Sequence, residues 1–496
     1  MNPLFDPINN FFGFIQPISD AVWNFPTQFL WYSQLPVLGK LSFAVALLLG
    51  TGVYFTFKTR AVQRLCFGRA VRIMRRRQHS LVGISPLGSF MLGLAMRVGP
   101  GNVVGVTGAI SVGGPGALFW MWVAALFGMA TAFMESVLAQ LFKEQKNDEY
   151  VGGLPFYGRS IMGGRRFVGV FLSLAFIVYA LFNVPAQTFN VFTAVGMIAD
   201  TLTGTTSGRQ SGLYYGIALV LVCSCAYLIL GGIRRVIAWT NVLVPVMAVV
   251  FCGLSLLIIL TNLSLLPWFL EAVVGGAFAP EALFGGALGV ALAEGVRRGL
   301  MSNEAGQGTI TMAAAVAAND HPCEQGFVQA FGVFIDTLVI CTMTGFIVVM
   351  AHLWSDTASQ AEWAAASASR LGVYLDSVRS LVPPALGAAV IVVLSICYCL
   401  FAFTTLLGMI SFAEISANFI SRAPRFILLI RVLGSLVFVP FGALTVLAGL
   451  ELGNLWAITD LTNIIMVVLN IPILLLGAPL VYKALDHYLS TALDKT

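Results

Sequence analysis

The strongest chemical signal in the sequence is Gly99-Pro100-Gly101-Asn102, set just beyond Arg97 and Val98 inside the apolar stretch 85–116. In water these residues read as a turn. Here they fall in a span long enough to cross a bilayer, where irregular backbone is tolerated only when buried in protein or lining a cavity. The pattern predicts a broken transmembrane helix. A helix restarting near Asn102 points free N–H groups and its positive dipole end into the gap, which suits a carboxylate. The carbonyls ending the first half suit a cation. Asn102 is expected to cap the second half-helix and to face substrate or ion as well. Gly99, Gly101 and Gly105 permit close backbone approach, and Pro100 removes a donor and helps end the first half.

A second cluster lies in the segment 283–318: Glu294, Gly295, Arg297, Arg298 and Gly299, then Ser302-Asn303-Glu304-Ala305-Gly306-Gln307-Gly308. The segment is too long for one straight helix and predicts a second break. Other polar groups sit inside apolar spans. Gln187 and Asn190 are three apart and share a helix face, where they serve as interhelical contacts or as ligand contacts. Asp336, with Thr342 in FIDTLVICT, is an intramembrane carboxylate and so a functional candidate; it binds an ion or braces the second break. Thr404 and Thr405 are adjacent hydroxyls that can bond the carbonyl one turn back. Arg97, Glu135, Glu294, Arg297, Arg298, Glu304 and Glu414 must pair or reach an interface. Arg97 is expected to pair with Glu304 or Glu294, as a structural bridge or cytoplasmic gate, with direct substrate contact as the alternative. Trp120 to Val123 read as packing.

These residues need a membrane frame. The chain has 496 residues, 58% hydrophobic and 10% charged, with mean hydropathy +0.90; a soluble domain carries about a quarter charged residues. The composition is that of an all-α polytopic membrane protein. Windows of about 20 apolar residues predict eleven spans, at 37–57, 87–113, 117–142, 167–199, 211–231, 236–261, 283–318, 327–353, 384–419, 426–450 and 457–483. The basic loop 58–80 is expected in the cytoplasm, which puts the N-terminus outside. Loops Lys143 to Arg166, Arg234-Arg235, and Arg422 with Arg425 then fall inside, whereas 200–210, 262–282, 354–383 and 451–456 fall outside with few basic residues. The C-terminus ends inside. The N-terminal stretch lacks a basic n-region and reads as an amphipathic interfacial lead-in, not a cleavable signal.

The second break lies five spans after the first and runs the opposite way, the signature of an inverted-repeat transporter. The expected division is a lead-in over 1–36, an extra helix and basic loop over 37–80, a first five-helix repeat over 81–262, and a second with the C-terminus over 263–496. The net charge of +5 is concentrated in loops, so it reports topology, not nucleic-acid binding. No CxxC pair, HExxH, GxSxG or nucleotide loop is present, which argues against a redox centre or a membrane-embedded enzyme. A channel fits two inverted breaks less well than a gated binding site does.

GPGNVVGVTGAISVGGPGALFWMWVAALFGMATAFMESVLAQ, RGLMSNEAGQGT, and HPCEQG followed by FIDTLVICTMTG resemble the alanine/glycine:cation symporter family. The resemblance implies a leucine-transporter-like fold and sodium-coupled symport of a small neutral amino acid. It implies location in a prokaryotic cytoplasmic (inner) membrane and no organic cofactor. It implies a sodium site between the first broken helix and the hydroxyl pair, with hard oxygen ligands from the carbonyls of Ala95, Val98 and Phe401 and the hydroxyls of Thr404 and Thr405. Substrate contact is implied for Gly101, Asn102, Gly105, Gln187, Asn190, Met301, Asn303, Thr405 and Met409, and coupling or gating for Arg97, Glu304 and Asp336. The family pattern has Phe before SNEAG and Trp after the Gly that follows the hydroxyl pair; here these are Met301 and Met409. If methionine widens the pocket, a larger neutral amino acid such as glutamine is accepted. If the methionines fill the same volume, selectivity is unchanged.

Overall fold

The computed structural model describes residues 6–35, 39, 41–76, 82–146, 149–205, 208, 211–278, 288–351, 370–449 and 452–493. The expected lead-in forms α1 (Asp6–Trp23), followed by the short α2 (Leu30–Ser33). α1 has two apolar faces: Ile15 and Trp23 are buried with Ser19, whereas Phe14, Ile18 and Val22 are exposed. α3 (Phe43–Lys58) comes next. The segment 58–80, expected to be a loop, is largely helical in α4 (Gln63–Arg75). Cys66, Ala70 and Ile73 are its buried positions, a helix-face spacing. Residues 77–80 of that loop lie outside the described residues.

α5 (Pro86–Arg97) starts where the Ser85 hydroxyl accepts the Gly88 N–H and Pro86 occupies the first turn, a strong start signal. It ends at Arg97. One 3₁₀ turn spans Pro100–Asn102, and α6 (Val104–Gly113) resumes. α7 (Gly116–Leu141) is followed by a correction to the all-α expectation. β1 (Glu144–Lys146) and β2 (Glu149–Val151) form an antiparallel hairpin, with Glu144 opposite Val151. These polar residues lie beyond the apolar span, and the hairpin pairs their backbone groups locally. Lys143 sits 4.0 Å over the Tyr150 ring.

Then come α8 (Leu154–Ile161), α9 (Arg166–Thr203), α10 (Gly212–Leu230) and α11 (Ile233–Thr261). The expected loop 262–282 contains α12 (Leu266–Phe278), apolar but of only 13 residues, too short to span; residues 279–282 lie outside the described residues. α13 (Leu288–Asn303) ends in the irregular segment 304–310, before α14 (Thr311–Ala315). Backbone φ is +57° at Glu304, +95° at Gly306 and +76° at Gly308, so this segment cannot continue a right-handed helix. α15 (Pro322–Met350) carries a π-helical stretch, Phe334–Cys341; such stretches concentrate at functional sites. The chain closes with α16 (Arg370–Leu381), α17 (Pro384–Ala417), α18 (Pro424–Leu447) and α19 (Leu452–Leu493).

Among the described residues, eight helices are long and apolar enough to cross a membrane: α7, α9, α10, α11, α15, α17, α18 and, within α19, Leu455–Thr491. The other expected spans correspond to α3 and to the interrupted pairs α5–α6 and α13–α14. Residues 37, 38, 40 and 283–287 of those spans lie outside the described residues. So do most of the expected loop 354–383 before α16, residue 451, and parts of the loop 200–210. The broken helices are central. Every residue of α6 except Val112 is buried, whereas α11 turns Val242, Val246 and Val249 outward. An outward apolar stripe at helical spacing suits a lipid-facing surface.

Candidate functional site

At the first break the Gly99 N–H donates to Asn102 Oδ1 at 2.8 Å. Asn102 therefore closes the 3₁₀ turn onto its own start at Gly99 and does not cap α6, a correction to the expected cap on the second half. The diversion has a consequence. In an unbroken helix the Gly99 N–H would serve the Ala95 carbonyl and the Asn102 N–H the Val98 carbonyl. The Asn102 N–H bonds Gly99 O at 3.1 Å instead, and Pro100 has no N–H for Met96. Three carbonyls thus lose their helical donors. Met96 was missed in the sequence, although Pro100 four residues on was the signal.

Thr405 reaches this corner from α17. Its Oγ1 is 3.2 Å from Ala95 O and 2.8 Å from Phe401 O. A β-carbon on Gly99 would lie 2.5 Å from the same hydroxyl, so glycine is required there. Thr404 behaves differently, donating to Leu400 O at 2.9 Å or Phe401 O at 3.2 Å.

Asp336 joins the two breaks. Its Oδ1 accepts Asn102 Nδ2 at 2.7 Å, and its Oδ2 accepts the Ser302 and Thr337 hydroxyls at 2.8 and 2.7 Å. The brace reaches both breaks, not only the second. Asn303 Oδ1 accepts the Ala305 N–H at 3.0 Å, and its Nδ2 lies 3.2 Å from Thr337 Oγ1. Arg97 pairs with neither Glu304 nor Glu294. It donates to Asn303 O at 2.9 Å and to Gln329 O and Oε1 at 2.9 and 3.1 Å. The physical reason is that α13 stops at Asn303 and leaves carbonyls without helical donors, which a cation satisfies. Glu304 accepts instead from Thr309 at 2.8 Å and Tyr179 at 3.4 Å.

The glycines divide by what they face. A β-carbon on Gly101 would meet Ser302 Cα at 3.3 Å and Met301 O at 3.5 Å. Its bare side therefore seats the second broken helix, a correction to the expected ligand approach. Gly105 is open, with only Trp456 Cη2 at 4.0 Å. Among the described residues, Gln187 Oε1 is buried without a hydrogen-bond partner. Asn190 Oδ1 accepts Tyr398 OH at 2.7 Å, while its Nδ2 is unpartnered. Met301 Sδ lies 3.5 Å from Arg298 Nη1, and Met409 is buried.

The model of the Sodium:alanine symporter family matches residues 28–495. The chain belongs to this family. Amino-acid carrier protein AlsT of Bacillus subtilis is 31% identical over 95% of this chain and 92% of that protein. The probable sodium/glutamine symporter GlnT of the same organism is 34% identical over 90% and 87%. Sodium/alanine symporter AgcS of Methanococcus maripaludis is 35% identical over 63% and 68%. The crystal structure of MhsT in complex with L-phenylalanine is similar in fold, with TM-score 0.56 and 12% identity over 81% of this chain and 90% of that one. The protein is a multi-pass membrane symporter and not an enzyme.

Two further features of the symporter were not assigned from the sequence. Glu135 on α7 accepts the N–H groups of Gly306 and Gly308 at 3.5 and 3.1 Å and Asn470 Nδ2 at 3.0 Å, so it holds the irregular second break. Its signal was a carboxylate in the apolar run FMESVL. At the other end, Asp460 pairs with Arg297 at 2.6 Å and Arg298 at 3.1 Å. Both arginines also reach Glu294, at 3.5 and 3.3 Å. α1 joins this cluster: Asp20 lies 3.5 Å from Arg297 and Trp23 Nε1 donates to Asp460 O at 2.8 Å.

Proposed function

We propose that the chain carries a small neutral amino acid, alanine or glycine, into the cell with sodium by alternating access. The observation that carries this reading is the convergence of the Thr405 hydroxyl with the Ala95 and Phe401 carbonyls at the first break. It is an all-oxygen corner of the kind a hard cation prefers. The Val98 carbonyl, freed by the break, and the Thr404 hydroxyl complete the ligand set. The substrate carboxylate takes N–H groups of the restarting helix around Gly105. Its ammonium group takes carbonyls and the Thr405 hydroxyl, beside Asn102, Asn190 and Asn303. Arg97, Glu304 and Asp336 couple the breaks. Sodium and substrate then raise each other's affinity by the same factor.

In this reading the chain crosses the membrane eleven times. One extra helix, over 37–80 with its basic loop, precedes two inverted five-helix repeats over 81–262 and 263–496. The N-terminus is outside, the C-terminus inside, and the membrane is a prokaryotic cytoplasmic membrane. A second substrate, glutamine, is favoured by the unpartnered Oε1 of Gln187, an acceptor for a substrate amide, and by the half-buried Met301. Uptake of radiolabelled alanine into proteoliposomes under an imposed sodium gradient tests the proposal, with glycine, serine, glutamine and leucine as competitors. Uphill accumulation that collapses without the gradient supports it; passive equilibration alone would overturn it.

A further inference from the structure

Arg370 begins α16 and reaches inward over the first broken helix. Its guanidinium lies 4.8 Å from the centre of the Trp456 ring. Among the described residues its Nη1 is buried without a hydrogen-bond partner, and it sits 2.7 Å from where a β-carbon on Gly108 would stand. The neighbouring arginines differ. Arg297 is engaged by Asp460, Glu294 and Asp20, and Arg298 by Asp460 and Glu294. Among the described residues, no carboxylate lies within ion-pairing distance of Arg370. A guanidinium turned into a protein without an anion is unfavourable until one arrives.

The position of this cation matters more than its lack of a partner. Gly105 and Gly108 are three apart and share a face of α6. At Gly108 that face is filled by Arg370, and ahead of the helix, at Gly101 in the 3₁₀ turn, the backbone is covered by Ser302. Between them Gly105 meets only the Cη2 corner of Trp456. A rise of about 1.5 Å per residue puts Gly108 about 4.5 Å beyond Gly105 along the helix. The open step is therefore flanked by free helix N–H groups on one side and an unpaired guanidinium on the other. Trp456 Nε1, also buried and unpartnered, belongs to the same roof.

We propose that Arg370 is a substrate-recognition residue: it takes one carboxylate oxygen of an amino acid bound at Gly105, while the helix N–H groups take the other. This rests on the symport reading above. It adds that the charge selecting an amino acid over its amide is supplied from outside the spans. A guanidinium suits this position better than an ammonium does because it keeps its charge when buried and stacks on an aromatic face, here Trp456.

The test compares wild type, Arg370→Gln and Arg370→Lys in proteoliposomes. It measures KM for alanine, inhibition by alaninamide, and the sodium half-saturation at saturating alanine. Alaninamide has no carboxylate and carries net positive charge. Arg370→Gln is expected to raise the alanine KM by about tenfold or more, a loss of one charge-assisted contact. Alaninamide inhibition should hold or improve, so the preference for acid over amide collapses. Arg370→Lys should fall between, and should fold if Arg370→Gln does not.

An unchanged alanine KM in both variants would overturn the proposal. So would equal losses for acid and amide, which mark a structural role in the outer ion-pair cluster. Chloride could occupy the same cation, so wild type is also assayed in gluconate. A rise in alanine KM there, absent in Arg370→Gln, would assign Arg370 to chloride and overturn substrate contact. Wild type that accumulates no amino acid would tell against the symport reading itself, a result distinguishable from failure of the Arg370 assignment.

Discussion

Replacing Asp336 by alanine removes the acceptor shared by Asn102, Ser302 and Thr337, and with it the link between the two breaks. A stranded buried donor costs about 1–3 kcal/mol, but not all three remain stranded. Asn102 Nδ2 keeps the Asp336 backbone oxygen at 3.2 Å, which survives the substitution, and the Ser302 hydroxyl can turn to Cys341 Sγ at 3.2 Å. A net loss of about 2–4 kcal/mol follows, or roughly 30- to 700-fold in the population of the assembled site. Asp336→Asn can keep its oxygen towards Asn102 and turn its N–H₂ to Ser302 and Thr337, whose hydroxyls must then accept where they donated, and should lose about 1–2 kcal/mol. Because the brace holds both breaks, the sodium half-saturation and the alanine KM should rise together. Each is measured in proteoliposomes with the other ligand saturating, for both variants and for Ser302→Ala. A rise confined to sodium would make Asp336 an ion ligand and refute the brace. No change in either would refute any role at the breaks.

Thr405→Val should raise the sodium half-saturation while Thr405→Ser stays within about threefold of wild type, since only valine removes an oxygen ligand worth about 1 kcal/mol or more. Gly99→Ala should mimic valine, because its β-carbon lands on that hydroxyl; sodium titrations indistinguishable from wild type would move the cation elsewhere. Gly105→Ala meets only Trp456, so it should fold normally yet exclude the larger substrates first. Met301→Phe with Met409→Trp should narrow uptake likewise, and a wild type that already rejects everything larger than alanine would refute the roomy pocket. His321 and His487 share a contact of 3.2 Å between Nε2 and Nδ1, and burial, then the facing His487, holds His321 below its ordinary value. The unfolded chain then binds more protons, so stability is full above about pH 6.5 and falls as pH drops through that value. The melting temperature of detergent-purified protein should show this acid loss, and His487→Gln should shrink it; an equal loss in both proteins would show that the pair is silent.

What was legible in the sequence is where the membrane imposes a cost. Pro100 between glycines in an apolar run announces a break because its freed backbone groups need partners at membrane depth. Asp336 announces a site because a carboxylate there must be satisfied. The identity of the satisfying group was not legible. Arg97 was given carboxylates as partners because charge is visible in a sequence, yet it bonds the backbone of Asn303 and Gln329. The Asn303 carbonyl is available because α13 stops there, and Gln329 is brought to the same guanidinium by α15. Glu135 makes the same point from the opposite sign: its partners are the N–H groups of Gly306 and Gly308, exposed by positive φ. The misread outer segments share a different cause. α4, α12 and the hairpin at 144–151 are shorter than a span, so a search for long apolar windows passes over them. Arg370 fell into that blind region, an ordinary basic residue in an expected loop. Its chemistry appears only when α16 carries it over Gly108 and no carboxylate among the described residues comes within ion-pairing distance of it. The sequence marks buried groups that need a partner, and the structure adds Arg370, whose Nη1 finds none among the described residues and is where the proposed carboxylate is placed.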